Sequence, residues 1–457
     1  MKRSSGRRQH YHFIGIGGIG MSALAIFCRQ KGIDVTGSDI AASDITEQLA
    51  SMGVKIHIGH SVLQLQSADK VIYSTAIEPK NPEYCHAKAQ KIPYIKRGHL
   101  LGEAIREYAH SIAITGTHGK TTISALCAHV LTELQGKISY ILGGKVHGFT
   151  AHAHYDNSQT IVVEADESDG SFLALKPRHM IISNIDEDHM QTYEHSRQKL
   201  IKTFATFAEQ NDKGSILIGI DCPGGKVLKK QLLRRCITYG FSDDADIQAL
   251  NYRQRGTVAW FDVWYRHDIF KDFSINLPGQ HNVQNALAVI SLCLRLGYSP
   301  DAIKNAVSGF RGVRRRFDYD EISINHQPIT LIDDYGHHPE EIRVTLKTIK
   351  ACFPKRRIIH VFEPHRYTRT RDLFHDFITS LKGADILFLM DIYPAGEKAI
   401  NSVNSMALAE KIAVDHPCYY TPDISSVEAK LKRLVKKNDI ILVQGAGIIE
   451  KLAQRLR

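Results

Sequence analysis

Short runs of valine, isoleucine and leucine alternate with helix-like stretches along almost the whole chain, and this alternation constrains the fold most. The apolar runs are YHFIGI (11–16), VTGSD (35–39), KVIYSTAI (70–77), SIAITG (111–116), TIVVEAD (160–166), HMIISNID (179–186) and SILIG (215–219). They return as PITLIDD (328–334), RIIHVFEP (357–364), ADILFLMD (384–391) and NDIILVQGAG (438–447). Continuous apolar strands separated by helices imply parallel sheets covered on both faces. Residues 237–277 break the rhythm with alternating, aromatic segments and no intervening helix, which predicts a small antiparallel patch. At roughly 100–200 residues per domain, the 457 residues make about three domains. The expected class is α/β, with three mainly parallel sheets bearing helices on both faces and the antiparallel patch in the central domain. Joints near 100–110 and 309–317 give domains 1–106, 107–312 and 313–457.

Composition removes several alternatives. Apolar residues are 43% and charged residues 23%, as in globular proteins rather than disordered ones. No apolar run approaches the ~18 residues of a membrane span, and MKRSSGRRQH has no apolar signal core. Eight cysteines, none in a CxxC pair, mostly sit in apolar segments, so reduced thiols and a cytoplasmic location are expected. The net charge of +10 is partly terminal and equally suits an enzyme of phosphorylated substrates. No nucleic-acid recognition module is present, so neither nucleic acid nor membrane is an expected partner. The oligomeric state is not legible.

Two glycine loops carry chemistry. Gly15, Gly17, Gly18, Ile19 and Gly20 lie in GIGGIG between a strand and a helix, with Asp39 ending the next strand. Alone this is a dinucleotide fingerprint, but its physical content is only a glycine turn presenting amides to a diphosphate. A nucleotide sugar would serve as well as NAD(P). The second loop, Gly116-Thr117-His118-Gly119-Lys120-Thr121-Thr122, follows the strand IAIT and opens a helix. It is shorter than the usual P-loop, but its amides can still cradle phosphates, Lys120 can neutralise them and Thr121 can ligate Mg²⁺. Downstream, EADESD (164–169) ends one strand and NIDEDH (184–189) another. Each run reads either as a metal or phosphate site at a strand end or as a solvated turn.

GTHGKTT, EADESD and NIDEDHMQTY resemble the Mur ligases, the ATP-dependent amino-acid ligases of peptidoglycan precursor synthesis. GIGGIGMSALA (15–25), DDYGHHP (333–339) and FEPHRYTRTRDLF (362–374) resemble the family member that acts on UDP-N-acetylmuramate and L-alanine. The resemblance implies a three-domain α/β protein with Rossmann-like domains. The first holds the UDP-sugar, the second ATP, and the third brings the amino acid and closes over the site. It implies that an acyl phosphate forms on the lactyl carboxylate and that the amine of alanine attacks it.

Residue roles follow from the same resemblance. Gly116 to Thr122 bind the triphosphate, with Lys120 on the transferred phosphoryl group. Thr121 and Glu164 hold one Mg²⁺, and His189 a second. His281, Asn282 and Asn285 lie in the adenine stretch, and Arg315, Arg316 and Asp334 lie near the nucleotide. Tyr335, His337 and His338, with Arg366 and Arg369, face the acyl group and alanine. Ser74 and Arg97 join Asp39 and the first glycine loop around the UDP-sugar. Glu340 stands where the family pattern has threonine, so it receives no role. Lys199 and Lys202 lie near the region of the lysine that some relatives carbamylate, and neither is assigned that role.

Three rivals remain on sequence alone. A family ligase attaching a recovered peptide would share the first two domains. An NAD(P)-dependent oxidoreductase would use GIGGIG and Asp39 but leave GTHGKTT and EADESD without purpose. A P-loop switch protein would need no sugar-nucleotide domain.

Overall fold

The computed structural model describes residues 8–188, 190–210, 214–232 and 235–457. The first sheet contains β1 (His10–Ile14), β2 (Asp34–Asp39), β3 (Lys55–Ile58), β4 (Lys70–Tyr73) and β5 (Tyr94–Lys96). All five strands are parallel in the order β3-β2-β1-β4-β5. The strand order reverses beside β1, and the first glycine loop leaves the carboxyl end of β1. That is the switch point where open α/β sheets take ligands. The following helix, Ile19–Gln30, buries Met21 through Cys28 continuously. Such all-round burial follows from its run of alanine, leucine and isoleucine, and Gly32 in a left-handed conformation ends it.

The second sheet contains β6 (His110–Thr115), β7 (Ser139–Ile141), β8 (Ala153–His154), β9 (Thr160–Glu164) and β10 (His179–Ile182). It continues with β11 (Ile216–Gly219), β12 (Ile237–Gly240), β13 (Ile247–Arg255), β14 (Val258–Tyr265) and β15 (Asp268–Ile275). The order is β15-β14-β13-β12-β11-β10-β6-β9-β7-β8. β6 thus lies between the two strands that end in acidic runs.

The expected antiparallel patch is narrower than 237–277. β14 and β15 pair antiparallel, but β12 pairs parallel with both β11 and β13. The Asp221 carboxylate braces that helix-free connection, accepting from the N–H groups of Phe241 and Ser242 in the loop after β12.

The third sheet contains β16 (Asp318–Ile324), β17 (Gln327–Asp334), β18 (Ile358–Glu363), β19 (Ile386–Leu389), β20 (Cys418–Tyr420) and β21 (Ile440–Gly445). Its order is β16-β17-β21-β18-β19-β20, parallel except for β16. Three α/β sheets therefore follow one another in chain order. By packing, the chain divides into two units. The first carries the first two sheets through Arg311; the second carries the third sheet from Gly312, with the short segments 254–258 and 277–279. Cores of buried isoleucine, valine, leucine and phenylalanine fill both.

The strands absent from the sequence reading are short or wet. β3 has no buried residue, and β16 (DYDEISI) is mostly polar and solvent-facing. β16 is fixed instead by its tight turn, where Asn325 and His326 both take left-handed φ values. All eight cysteines are free, and among the described residues no helix is long and apolar enough to cross a membrane.

Candidate active site

The second glycine loop connects buried β6 to the helix Lys120–Gln135. Gly116 (φ +130°) and Gly119 (φ +82°) lie in conformations that favour glycine. A Cβ on Gly116 would lie 2.1 Å from Ser183 Oγ, and one on Gly119 2.5 Å from Asn285 Oδ1. The strand-end residues after β10 clamp the loop from the other side. Thr117 N–H donates to Asn184 O at 3.0 Å and His118 N–H to Asn184 Oδ1 at 2.8 Å. Ser183 Oγ donates to His118 O at 2.7 Å. Ser183 and Asn184 are therefore site-building residues that sequence reasoning did not single out; their position between a strand end and the acidic run was the available signal. Thr122 is buried in the first helical turn.

Lys120 Nζ bonds Gly116 O at 2.8 Å, Thr117 O at 3.1 Å and Glu167 Oε1 at 2.9 Å. Burial opposes its charge, but Glu167, Glu164 and Asp166 outweigh burial and hold its pKa above the ordinary lysine value. Thr121 Oγ1 donates to Glu164 Oε1 at 3.2 Å, and Gly143 N–H donates to Glu164 Oε2 at 3.1 Å. Of the run EADESD, only Glu164 faces Thr121. Asp166 and Asp169 turn instead toward Arg97, at 3.3 Å and 3.9 Å. Thus the acidic run is not one metal cluster: Glu167 serves Lys120, and Asp166 with Asp169 serves Arg97. His189 lies outside the described residues. Lys199 Nζ bonds Glu194, not the P-loop.

The first glycine loop opens onto a cavity of about 310 Å³. Gly15, Gly18, Ile19, Gly20, Ser74 and Arg97 line one side, and Glu164, Asp166, Ser168 and Asp169 the other. Gly20 lets Arg97 in, since a Cβ there would lie 2.7 Å from its Nη1. Gly17 and Asp39 are not in the lining. Asp39 Oδ2 accepts the Gly17 N–H at 2.8 Å and Oδ1 accepts the Ile40 N–H at 2.8 Å, so this carboxylate fixes the loop.

A second cavity, about 270 Å³, lies beyond the P-loop. His118, Gly119, Asn184, Asp221, His281, Gln284 and Asn285 are among its walls. Asn285 Nδ2 donates to Asn282 Oδ1 at 3.1 Å, which orients the buried pair. His281 and Asn285 thus share this cavity with Gly119, and Asn282 supports Asn285 from behind.

In the second unit, Tyr335, His337, Arg316, Arg366 and Arg369 belong to one aromatic and basic cluster. The Arg316 guanidinium lies 5.1 Å from the Tyr335 ring, and His337 meets Tyr335 edge-to-face at 5.4 Å and His365 at a tilt at 5.3 Å. Arg369 Nη1 reaches His365 Nδ1 at 3.2 Å, and Arg366 N–H donates to Tyr393 O at 2.8 Å. The acids that might have paired these arginines are engaged elsewhere: Asp372 by Arg371 at 2.7 Å and Asp376 by Arg343 at 3.4 Å.

Burial, with neighbouring cations, pushes His365 down to about 3. Burial likewise lowers His337 against the opposing pull of Glu341, so both rings are neutral near pH 7. Burial would raise Glu341, but His337, Arg316 and two backbone N–H groups bring it down to about 2. Glu341 accepts those N–H groups from His337 and His338 at 2.8 Å and 3.0 Å, which fixes the turn carrying them.

Two predicted site residues are committed internally. Asp334 is buried, accepting from Phe317 N–H at 3.0 Å, Gly336 N–H at 2.9 Å and Gln444 Nε2 at 2.8 Å. Arg315 bonds Glu450 at 3.1 Å and approaches Asp333 at 3.6 Å. These contacts add His365, which lay unassigned inside FEPHRYTRTRDLF, Glu341, which follows DDYGHHP, and Tyr393, which no motif marked.

Comparison with known proteins places the whole chain. Residues 10–109 match "Mur ligase family, catalytic domain", residues 114–293 "Mur ligase middle domain" and residues 315–447 "Mur ligase, glutamate ligase domain". A UDP-N-acetylmuramate–L-alanine ligase of Hydrogenovibrio crunogenus is 41% identical over 449 residues, covering 97% of each chain. The crystal structure of the UDP-N-acetylmuramate-alanine ligase MurC from Thermotoga maritima superposes with a TM-score of 0.86 at 29% identity over 98% of each chain. A murein peptide ligase from Psychrobacter arcticus shares the fold, with a TM-score of 0.71 at 23% identity over 98% of each chain. With a P-loop, a glycine-loop cavity beside it and three matching domains in order, the chain belongs to the Mur ligase family.

Proposed function

We propose that this chain joins L-alanine to the lactyl carboxylate of UDP-N-acetylmuramate, with ATP converted to ADP and phosphate. The observation that carries the reading is Glu164, which lines the glycine-loop cavity while hydrogen-bonded to Thr121 of the P-loop. A sugar-nucleotide carboxylate in that cavity and a triphosphate on the P-loop would meet at one wall. The 41% identity to a ligase of this specificity favours it over the peptide-attaching rival, whose likeness at 23% identity concerns the fold alone.

The reaction needs a better leaving group than oxide on the carboxylate. The carboxylate oxygen attacks the γ-phosphorus, the bond to the β-phosphate oxygen breaks, and ADP leaves. The alanine amine then attacks the acyl carbon, and phosphate departs from the tetrahedral intermediate. Lys120 and the loop amides stabilise charge on the transferred phosphoryl group. The Thr121 hydroxyl and Glu164 carboxylate suit Mg²⁺, which takes oxygen ligands, and His189 is proposed to hold a second ion. Bound there, Mg²⁺ would neutralise phosphate charge. The second cavity takes adenine, with Asn285 its main polar contact and His281 and Asn282 beside it.

In the third domain, Arg366 and Arg369 are suited to a carboxylate or acyl phosphate by their planar donor forks. Neutral His337, with Nδ1 3.1 Å from Tyr335 O, can leave Nε2 to accept a proton from the amine. Arg316, with its guanidinium over the Tyr335 ring, has the same planar fork and is suited to a phosphate. The roles first sketched for Arg315 and Asp334 become support of this domain, given their internal bonds. Domain limits of 1–106, 107–312 and 313–457 divide these tasks, and the substrates imply a cytoplasmic enzyme. The test is phosphate release with each substrate omitted in turn, with the product weighed by mass spectrometry. Release without L-alanine, or with a tripeptide in preference to it, would overturn the reading.

A further inference from the structure

Two cations stand at the glycine loops of the first unit, Arg97 in the wall of the first cavity and Lys120 in the P-loop, and one short acidic segment pairs with both. An ammonium group has three donors, and those of Lys120 go to Gly116 O, Thr117 O and Glu167 Oε1 at 2.8, 3.1 and 2.9 Å. The second Glu167 oxygen also lies 2.9 Å from Nζ. Glu167 is 3% exposed, so water does not replace this pairing. No donor of Lys120 is left for a phosphate in this arrangement. Arg97, on the wall of the glycine-loop cavity, faces Asp166 at 3.3 Å and Asp169 at 3.9 Å.

The segment is a tight, internally bonded turn. Ser168 N–H and Oγ donate to Asp166 Oδ1 at 3.1 Å and 2.7 Å, and Ser171 N–H donates to Asp169 Oδ1 at 2.9 Å. Gly170 N–H and Tyr193 Oη both donate to Glu167 O. Movement of Asp166 is therefore passed to Glu167 through a single rigid turn. Asp166, Ser168 and Asp169 line the cavity that holds the sugar nucleotide, whereas the Glu167 side chain points to the P-loop. A triphosphate brought to Lys120 would meet the Glu167 carboxylate as a like charge, in a site where little water screens it.

We propose that Asp166–Asp169 is an exchangeable counter-ion segment: Glu167 holds Lys120 until the phosphates of ATP replace it, and anionic groups of the sugar nucleotide, by drawing Arg97 from Asp166 and Asp169, loosen the segment and favour nucleotide binding. Glu167 is thus a positioning residue acting through Lys120, and no bond to substrate is required of it. The proposal rests on assigning the two clefts to UDP-sugar and ATP.

Calorimetry of a non-hydrolysable ATP analogue tests it, on the full chain, with and without UDP-N-acetylmuramate. In the parent protein the sugar nucleotide should tighten analogue binding at least about fivefold. Glu167→Gln keeps the shape and removes the competing charge, so it should bind the analogue alone about tenfold tighter. Its coupling to the sugar nucleotide should fall below about twofold. Glu167→Asp retains the charge and should restore weaker, coupled binding. A merely structural Glu167 gives the opposite sign, with Glu167→Gln binding equally or more weakly. If the parent binds both ligands and Glu167→Gln is not tighter, the proposal falls while the site assignment stands. If the parent fails to bind either ligand, the assignment falls and takes the proposal with it. If Glu167→Gln does not fold, absence of sugar-nucleotide coupling in the parent protein alone refutes the inference.

Discussion

Replacing Gly119 by alanine should separate two costs written into the P-loop. Gly119 has φ +82°, and a Cβ on it would lie 2.5 Å from Asn285 Oδ1. A left-handed non-glycine residue costs roughly 1–2 kcal/mol. Relieving the contact means moving the Asn285 amide, which breaks its 3.1 Å bond to Asn282. A neutral hydrogen bond of that kind contributes about 1 kcal/mol. The total is about 2–3 kcal/mol, or roughly 30–150-fold in affinity if the loop relaxes out of its nucleotide-binding form. If the loop keeps its form, the same energy appears as a lowered melting temperature. ADP calorimetry and thermal melting of one preparation capture both routes. In an Asn285→Ala background the contact is gone, and only the backbone cost of roughly 1–2 kcal/mol should remain. Gly18→Ala is the control: its φ is −64° and its Cβ would meet nothing closer than 3.5 Å, so stability should hold. If Gly119→Ala binds ADP and melts as the parent does, the geometric reasoning is wrong.

Three further outcomes follow from the same contacts. Lys120→Ala should lower turnover about 10²–10³-fold, and a folded variant retaining over about a tenth of the rate would remove the lysine from the chemistry. Arg366→Lys keeps the charge but loses the fork, so kcat or the KM for alanine or the UDP-sugar should worsen while ADP affinity stays constant; unchanged kinetics for every substrate would return Arg366 to a surface role. Burial pushes His152 and His179 down to about 4 and His360 to about 3, below the unfolded value near 6.5. The unfolded chain binds those protons first, so stability is full above pH 6.5 and falls as pH drops toward 4. Each ring then accounts for about 2 kcal/mol lost by pH 5, and urea midpoints that match at pH 7.5 and 5 would contradict the burial argument.

Legibility varied with what fixed each element. The central strands were readable because two-sided burial demands unbroken apolar runs, as in IAIT of β6 and IILV of β21. β16 was not, because its polar sequence is held by a turn and by pairing with β17 rather than by its own composition. The P-loop was readable because phosphate binding requires glycine and lysine at fixed places. The partners of its lysine were not, because Glu167, Asp166 and Asp169 look alike in a run of acids. Only the fold determines which cation each one meets. Asp334 shows the converse, since a motif aspartate that looks exposed to substrate spends both oxygens on Phe317, Gly336 and Gln444.

The first glycine loop shows why a fingerprint names a geometry before it names a ligand. In the dinucleotide reading, the acid ending the second strand receives a ribose hydroxyl. Here both Asp39 oxygens are already occupied, one by the Gly17 N–H at 2.8 Å and one by the Ile40 N–H at 2.8 Å. The same carboxylate packs so closely on Gly17 that a Cβ would lie 2.9 Å from Oδ2. That glycine is therefore required by an internal contact, while Gly15, Gly18 and Gly20 line the cavity. Arg97 lies beside Gly20, and Glu164 is in the opposite wall. An oxidoreductase could share every residue of GIGGIG, but it would have no use for a cavity wall hydrogen-bonded to the P-loop threonine. The wall, more than the fingerprint, separates carboxylate activation from hydride transfer.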